Sequence, residues 1–315
     1  MEGKLETCPT MNLLVYEHLC ALESHLAADD PLRALLPEGR AMRDAVTVDF
    51  HAVPGVNLVP WSEAGWADVL PKCDAVLLIA PESDSTLSQL AVLVEAAGVR
   101  LLGPTPEAIR LCSDKLTLAR HWQHHGVPTP ATTLVDIEPA SYPVVVKPRD
   151  GAGSCDTVLC RNLEEFRATR TPNAIVQQYH SGVAASVAFI NGEALPPCRQ
   201  IQSDDGRFQY LGGECPLPPD LAERAIRIAT QAVACVPGLV GYVGVDVVLG
   251  ETDVAIEINP RLTTSYVGLR VMVPMNLAGL MLGLHLSYTG ARSASVRFAV
   301  TGGLLINCVN QLQSL

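Results

Sequence analysis

Two apolar runs near residue 250, one broken by a single acid and the other by polar residues at alternate positions, constrain this chain more than any other feature. In Ala255-Ile256-Glu257-Ile258-Asn259 a strand would turn Glu257 and Asn259 to one face and Ile256 and Ile258 to the other. Gly244-Val245-Asp246-Val247-Val248 precedes it across a short turn near Gly250–Asp253, which predicts an antiparallel pair with Asp246 on the same face. Apolar neighbours on both sides imply burial, and a buried acid is costly unless a cation meets it. One Asp, one Glu and one Asn supply only hard oxygen ligands, a set for Mg²⁺ or Mn²⁺ bridged to phosphates and not for zinc. The competing interpretation is the polar face of a solvated hairpin.

A second group points to phosphate. Val144-Val145-Val146-Lys147-Pro148 ends an apolar strand on a lysine, and burying an ammonium without a partner is unfavourable. Arg149-Asp150-Gly151-Ala152-Gly153-Ser154 follows, a glycine-rich turn whose backbone N–H groups can close over phosphate oxygens. Such a loop alone is also compatible with an ordinary turn. Lys115 follows Ser113, the expected N-cap of a helix, and a cation in a first turn opposes the helix dipole unless an anion lies near. A lone surface lysine is the alternative there.

The surrounding pattern divides the chain. Strand and helix signals alternate from Met11 to about Gly103, with strands at Asn12–Tyr16, Ala75–Ala80 and Val99–Leu102 and a helix at Asp84–Ala97, as in a small parallel sheet. Thr105–Gly126 reads as helical. Short strands follow at Pro143–Lys147, Asp156–Cys160 and Ala174–Tyr179, with a helix near Leu163–Thr169. A mainly antiparallel sheet then builds from Ala185–Ile190, an Asn191-Gly192 hairpin turn, Glu193–Gln202, Val243–Leu249 and Asp253–Ile258. Two long helices, Pro219–Val236 and about Asn276–Tyr288, are expected to cover one face.

In order and spacing, Ser113-Asp114-Lys115, Val146-Lys147-Pro148 with its glycine loop, Ile175-Val176-Gln177-Gln178-Tyr179, Asp246 and Glu257-Ile258-Asn259-Pro260-Arg261 resemble the ATP-grasp ligases, from Met11 to about Tyr288. The resemblance implies an α/β (α+β) ATP-grasp fold: an N-terminal parallel-sheet (pre-ATP-grasp) lobe at 11–104, linker helices and a small lid subdomain at 105–180, and a C-terminal catalytic subdomain at 181–310. It implies ATP as cofactor, with Lys115, Lys147, Gly151, Gly153 and Ser154 on its phosphates and Gln177, Gln178 and Tyr179 at adenine, largely through backbone. Mg²⁺ or Mn²⁺ would sit on Asp246, Glu257 and Asn259. Such enzymes phosphorylate a carboxylate, and an amine attacks the acyl phosphate. Arg261 would neutralise the developing charge, and Arg199 would assist or hold the substrate carboxylate. Gly182–Ser186 carries no acid where the family often places one for the ribose, and Gln178 stands where Glu is common, which leaves the base preference open.

Val15-Tyr16-Glu17, Ala80-Pro81-Glu82-Ser83-Asp84, Leu102-Gly103-Pro104 and the run Asn259–Gly268 are similar to one branch, the tyramine–glutamate ligases of methanofuran biosynthesis. There the γ-carboxylate of glutamate is activated and tyramine accepts it. By that likeness Thr263, Thr264 and Ser265 would bind the amino acid, or else form a helix-capping cluster. Glu82 and Asp84 would attract the amine, or Asp84 would only cap the following helix. The alternatives are another ATP-grasp ligase joining two amino acids, and a nucleotide-binding regulatory protein that has lost ligation.

Bulk properties narrow the classes. A formal charge of −11 over 315 residues offers no basic stripe for nucleic acid. The chain lacks a signal-peptide pattern and any apolar run near the roughly 20 residues of a membrane helix, so a cytoplasmic protein without membrane contact is expected. Met1–Thr10 reads as a loose leader, with Met11 an alternative start. The expected partners are small molecules, a carboxylate-bearing amino acid and an amine; the oligomeric state stays open and includes a homodimer. Ten cysteines contain no Cys-x-x-Cys. His121, His124 and His125 can share a helix face and bind metal, but no carboxylate or cysteine completes the set, so a polar helix surface is expected.

Overall fold

A computed structural model describes residues 10–151, 156–169, 171–290 and 292–307. Met11–Glu17 forms the centre of a four-stranded parallel sheet in the order Val56–Leu58, Met11–Glu17, Ala75–Ile79, Arg100–Leu101. Every residue of Ala75–Ile79 is buried, as a parallel strand covered on both faces requires. Helices Leu36–His51 and Thr86–Ala96 pack against this sheet. The second sheet is antiparallel, in the order Thr132–Leu134, Ala174–Gln178, Val144–Pro148, Val158–Cys160. Helix Leu163–Ala168 lies beside it, its first turn capped by Asn162 on the Glu165 N–H.

The largest sheet runs Val254–Asn259, Tyr242–Leu249, Val183–Ile190, Cys198–Gln202, Tyr210–Cys215, Ser295–Ala299, Leu304–Asn307, with Glu193–Ala194 paired to Val183–Ile190. Helix Pro219–Ala234 buries Ala225, Ile228, Ala229 and Ala232, a three-and-four spacing that sets one apolar stripe on the sheet. Helix Ser265–Met272 packs on the other face. One apolar core there joins Tyr266, Leu269 and Phe298 to Leu13, Val46, Phe50 and Leu77 of the N-terminal sheet and its helix. No described helix is long and apolar enough to cross a membrane.

Several elements depart from the expectations. The Asn276–Tyr288 helix is only Leu277–Met281; Gly283, at φ +81, stands just after it in a conformation suited to a helix stop. The strand expected over Glu193–Gln202 breaks at Pro196-Pro197, since proline cannot donate to a ladder. The Asn191-Gly192 turn has both residues at positive φ, as a primed hairpin turn demands. Asp84 and Ser85 also take positive φ (53° and 60°), so the helix after them starts at Thr86, and no side chain caps it. Asp84 is therefore not a cap. Ser113 is not one either: it closes helix Pro106–Ser113, its hydroxyl donating to the Ile109 carbonyl, and Asp114 caps helix Lys115–His124.

Candidate active site

Three elements from three parts of the chain meet at one cleft. Strands Tyr242–Leu249 and Val254–Asn259 pair with Asp246 opposite Glu257 and Gly244 opposite Asn259, and the register shifts just after Asp246. All three oxygen-bearing side chains are partly buried and share the face the alternation predicts. Asn259 Nδ2 donates to Asp246 Oδ2 at 3.2 Å, and Gln200 Nε2 donates to Asp246 Oδ1 at 2.9 Å. Burial, and then the neighbouring Glu257, push the Asp246 carboxyl up to about 7. For Glu257 burial pulls upward, but Lys115 and Lys147 prevail and lower it. Two acids whose environments drive them apart in this way form a site that a divalent cation would relieve. The donors fit such an ion, being hard oxygens on adjacent strands.

The cations stand around the acids. Lys115 Nζ lies 3.6 Å from Glu257 Oε2 and donates to the Gly151 carbonyl at 2.8 Å, so it bridges the late hairpin to the glycine loop. Lys147 is buried at the end of its strand; burial lowers its ammonium to about 8, while Glu257 pulls it upward. Gly151 holds φ +111, a conformation that side chains disfavour. Gly153 and Ser154 lie outside the described residues. Around the loop, Arg149 pairs with Asp114 through both Nε and Nη2, and Asp150 accepts from the Asp84 N–H and from Asn173.

Arg261 projects from just beyond Asn259 onto Glu82, with Nε 3.0 Å from Oε1 and Nη2 donating to Oε2 at 3.3 Å. Burial opposes the guanidinium charge, but Glu82, Glu38 and Glu257 raise its pKa. Glu82 sits just past the carboxyl end of strand Ala75–Ile79, where open parallel sheets place their ligand crevices. Its carboxylate is already engaged by Arg261. Glu82, Ser113, Lys115, Gly151, Glu257 and Asn259 all line one small cleft.

Other expected residues are placed elsewhere. Arg199 is exposed, and its register partner Ala185 pairs in turn with Val247, both in the core under helix Pro219–Ala234. That is the sheet face opposite Asp246. Gln200, one residue on, faces Asp246 instead; strand parity forbids both from doing so, and sequence alone gives no sign of which one does. Thr264 stands at the N-cap of helix Ser265–Met272, but no side chain there caps it: Thr263 and Ser265 share hydroxyl contacts with Tyr242 at 3.0 Å, and Thr264 donates to Glu38. Gly244 accommodates Thr263, whose Cγ2 would lie 2.7 Å from an added Cβ. Gln177 is buried and donates to Thr132, while Gln178 donates to the Pro143 carbonyl. The N–H groups of Gln178 and Tyr179 bond to the Ala131 and Pro143 carbonyls, and the Tyr179 ring stacks on Phe208 at 6.2 Å.

A family model for the pre-ATP-grasp domain matches residues 36–109, and one for the ATP-grasp domain matches 112–265. The chain belongs to the ATP-grasp superfamily. Among solved structures, an Archaeoglobus fulgidus protein described as an ATP-grasp superfamily member superposes with a TM-score of 0.73 at 27% identity, covering 92% of each chain. D-alanine–D-alanine ligase of Bacillus anthracis, solved with ATP, shares the ATP-grasp fold at a TM-score of 0.59 and 17% identity, over 80% of this chain and 86% of that one. Tyramine–L-glutamate ligase of Methanocaldococcus fervens is 33% identical over 206 residues, 63% of this ATP-grasp chain and 62% of the relative. The chain thus spans about three fifths of that ligase's length.

Proposed function

We propose that this ATP-grasp chain is an ATP-dependent carboxylate–amine ligase that forms a γ-glutamyl amide with a primary amine such as tyramine. The observation that carries the reading is the grouping of Asp246, Asn259, Lys115, Lys147 and Arg261 around Glu257, which lines the cleft together with Lys115 and Asn259. Likeness to the tyramine–glutamate ligase supplies the substrate class.

In this reading ATP is a substrate whose phosphates lie among Lys115, Lys147 and the loop at Gly151. Asp246, Glu257 and Asn259 would hold Mg²⁺ or Mn²⁺, which supplies charge neutralisation on the phosphates. A carboxylate oxygen attacks the γ-phosphorus, its new P–O bond replacing the one to ADP. The amine then attacks the acyl carbon, inorganic phosphate leaves, and the amine loses a proton. Arg261 faces the charge that grows on the phosphoryl group and on the tetrahedral carbon, and Glu82 holds its guanidinium in place. The Lys147 ammonium, held at about 8, gains a counter-charge when phosphate arrives and stays protonated. The chemistry is positioning and electrostatics, with no covalent intermediate on the protein.

The test is ADP release from ATP and Mg²⁺ with glutamate, with and without tyramine, together with detection of the amide. Release that needs both substrates is expected. Turnover with a different amino-acid pair would favour a ligase joining two amino acids, a reading supported by the shared fold of D-alanine–D-alanine ligase. Binding of ATP without turnover across an amino-acid and amine panel would favour a regulatory nucleotide-binding protein. Glu257→Ala should fold and lose on the order of 10²–10³-fold in turnover, the scale seen when one preorganised electrostatic group is removed. Near-normal turnover in that variant would remove the metal assignment.

A further inference from the structure

Helix Lys115–His124 carries Lys115 at one end and a different chemistry at the other. His121 and His125 stand one helical turn apart with ring centroids 4.3 Å from each other. No cysteine lies near them in sequence, which is why they read as a polar helix surface. The fold corrects this by delivering Cys235, the C-cap of helix Pro219–Ala234, to the same spot. A nitrogen of each ring and Cys235 Sγ all lie within 4.8 Å of one another.

We propose that His121, His125 and Cys235 form a binding site for a divalent transition-metal ion of borderline softness, Zn²⁺ being the natural probe. Each ring has one nitrogen engaged by a backbone carbonyl. His121 Nε2 meets the Cys235 carbonyl at 2.8 Å, and His125 Nδ1 meets the His121 carbonyl at 2.8 Å. A carbonyl oxygen only accepts, so each of those nitrogens carries its ring's proton. The lone pairs are left on Nδ1 of His121 and Nε2 of His125. A metal-bound imidazole that donates its other N–H to a backbone carbonyl is the usual outer-shell arrangement. The Cys235 thiol donates to the Ala232 carbonyl at 3.4 Å, a weak bond of the kind thiols make and one that a metal–sulfur bond can replace.

Two further features favour a cation here. The site lies where the C-terminal ends of two helices meet, and both helix dipoles present their negative poles to it. Trp122, between the histidines in sequence, donates to the Ala232 carbonyl at 3.0 Å and locks the helix ends together, so the ligands arrive assembled. Tetrahedral zinc with bonds of about 2.0–2.3 Å places its donors roughly 3.4–3.6 Å apart, so closure asks for side-chain shifts of about 1 Å. His125 is exposed, so the site is open to solvent on one side. The helix, about 15 Å long by its rise, separates this site from Lys115 and the cleft. A bound ion would pin that helix to the large sheet.

The test is a Co²⁺ titration of the full chain in excess Mg²⁺, which occupies oxygen-ligand sites and gives no thiolate signal. A near-ultraviolet thiolate-to-cobalt band saturating at one equivalent, and abolished by Zn²⁺, is expected. Cys235→Ser should lose the band, and both Cys235→Ser and His125→Gln should weaken Zn²⁺ binding at least tenfold with unchanged circular dichroism. The proposal is overturned if the wild-type chain gives no band, if the band persists in Cys235→Ser, or if either variant binds Zn²⁺ as tightly as the wild type.

Discussion

At the scale of single residues the cleft is organised around Asp246, whose two oxygens are each addressed by an amide, Gln200 on one and Asn259 on the other. Those contacts hold the carboxylate opposite Glu257, while burial and then Glu257 raise its pKa. Gln200→Leu should therefore weaken Mg²⁺ or Mn²⁺ dependence by on the order of 10–100-fold, the effect of losing an outer-shell partner. Arg199→Ala, one residue away on the opposite face, should stay within about twofold, as exposed substitutions generally do. The metal dependence of ADP release measures both. A large loss in Arg199→Ala with none in Gln200→Leu would mean the two faces are assigned the wrong way round. The shared face of Asp246, Glu257 and Asn259 was legible in sequence because period-two alternation is a local property. Gln200 was not, because its role depends on which way a strand two ladders away happens to face.

At the scale of elements the helix Lys115–His124 starts on a carboxylate that does two jobs. Asp114 accepts from the Leu116 and Thr117 N–H groups and pairs with Arg149, so it joins a helix start to the strand that leads into the glycine loop. Burial alone would raise the Asp114 carboxyl, yet the Arg149 guanidinium and the Thr117 groups hold it at about 2, below its ordinary 3.8. A depressed carboxylate contributes stability that is fully present above about pH 4 and is lost as pH falls through about 2. The urea midpoint of Asp114→Asn should thus lie furthest below the wild type at pH 5, and the gap should narrow by pH 3. A gap independent of pH would show that the pair contributes through packing alone. Ser113 looked like the cap because serine before a helix is the common signal, but Asp114 is one residue nearer and charged. The helix Leu277–Met281 and the strand Cys198–Gln202 are shorter than their pattern predicts for a similar reason: apolar periodicity continues through Gly283 and Pro196-Pro197 although the backbone does not. Strand Ser295–Ala299 is not legible in sequence, because its partner, Tyr210–Cys215, is a distant and glycine-bearing segment whose pairing no local pattern announces.

At the scale of the molecule, the N-terminal sheet and the large antiparallel sheet are joined by one core and by a polar lock beneath it. Asp49, on helix Leu36–His51, is buried and receives Arg270 through Nε and Nη2 and the Tyr266 hydroxyl at 2.7 Å, while its carbonyl receives Asn276. All three donors belong to the segment that follows Arg261, so the lock holds Glu82 and Arg261 across from one another. Asp49→Ala leaves the Arg270 guanidinium, mostly buried and resting over Tyr288, without its counter-charge. Breaking one side of such a pair costs about 3–5 kcal/mol, more than an exposed ion pair could contribute. Because the apolar core runs continuously from Phe50 and Leu77 to Tyr266 and Phe298, the loss should lower the urea midpoint of a single transition, with the slope of the transition unchanged. If the variant instead unfolds in two steps, with tryptophans 61 and 66 of the N-terminal region exposed first, the two sheets are separately stable. The shared core would then be a contact between independent units, and the Glu82–Arg261 pair would be held by docking and not by folding.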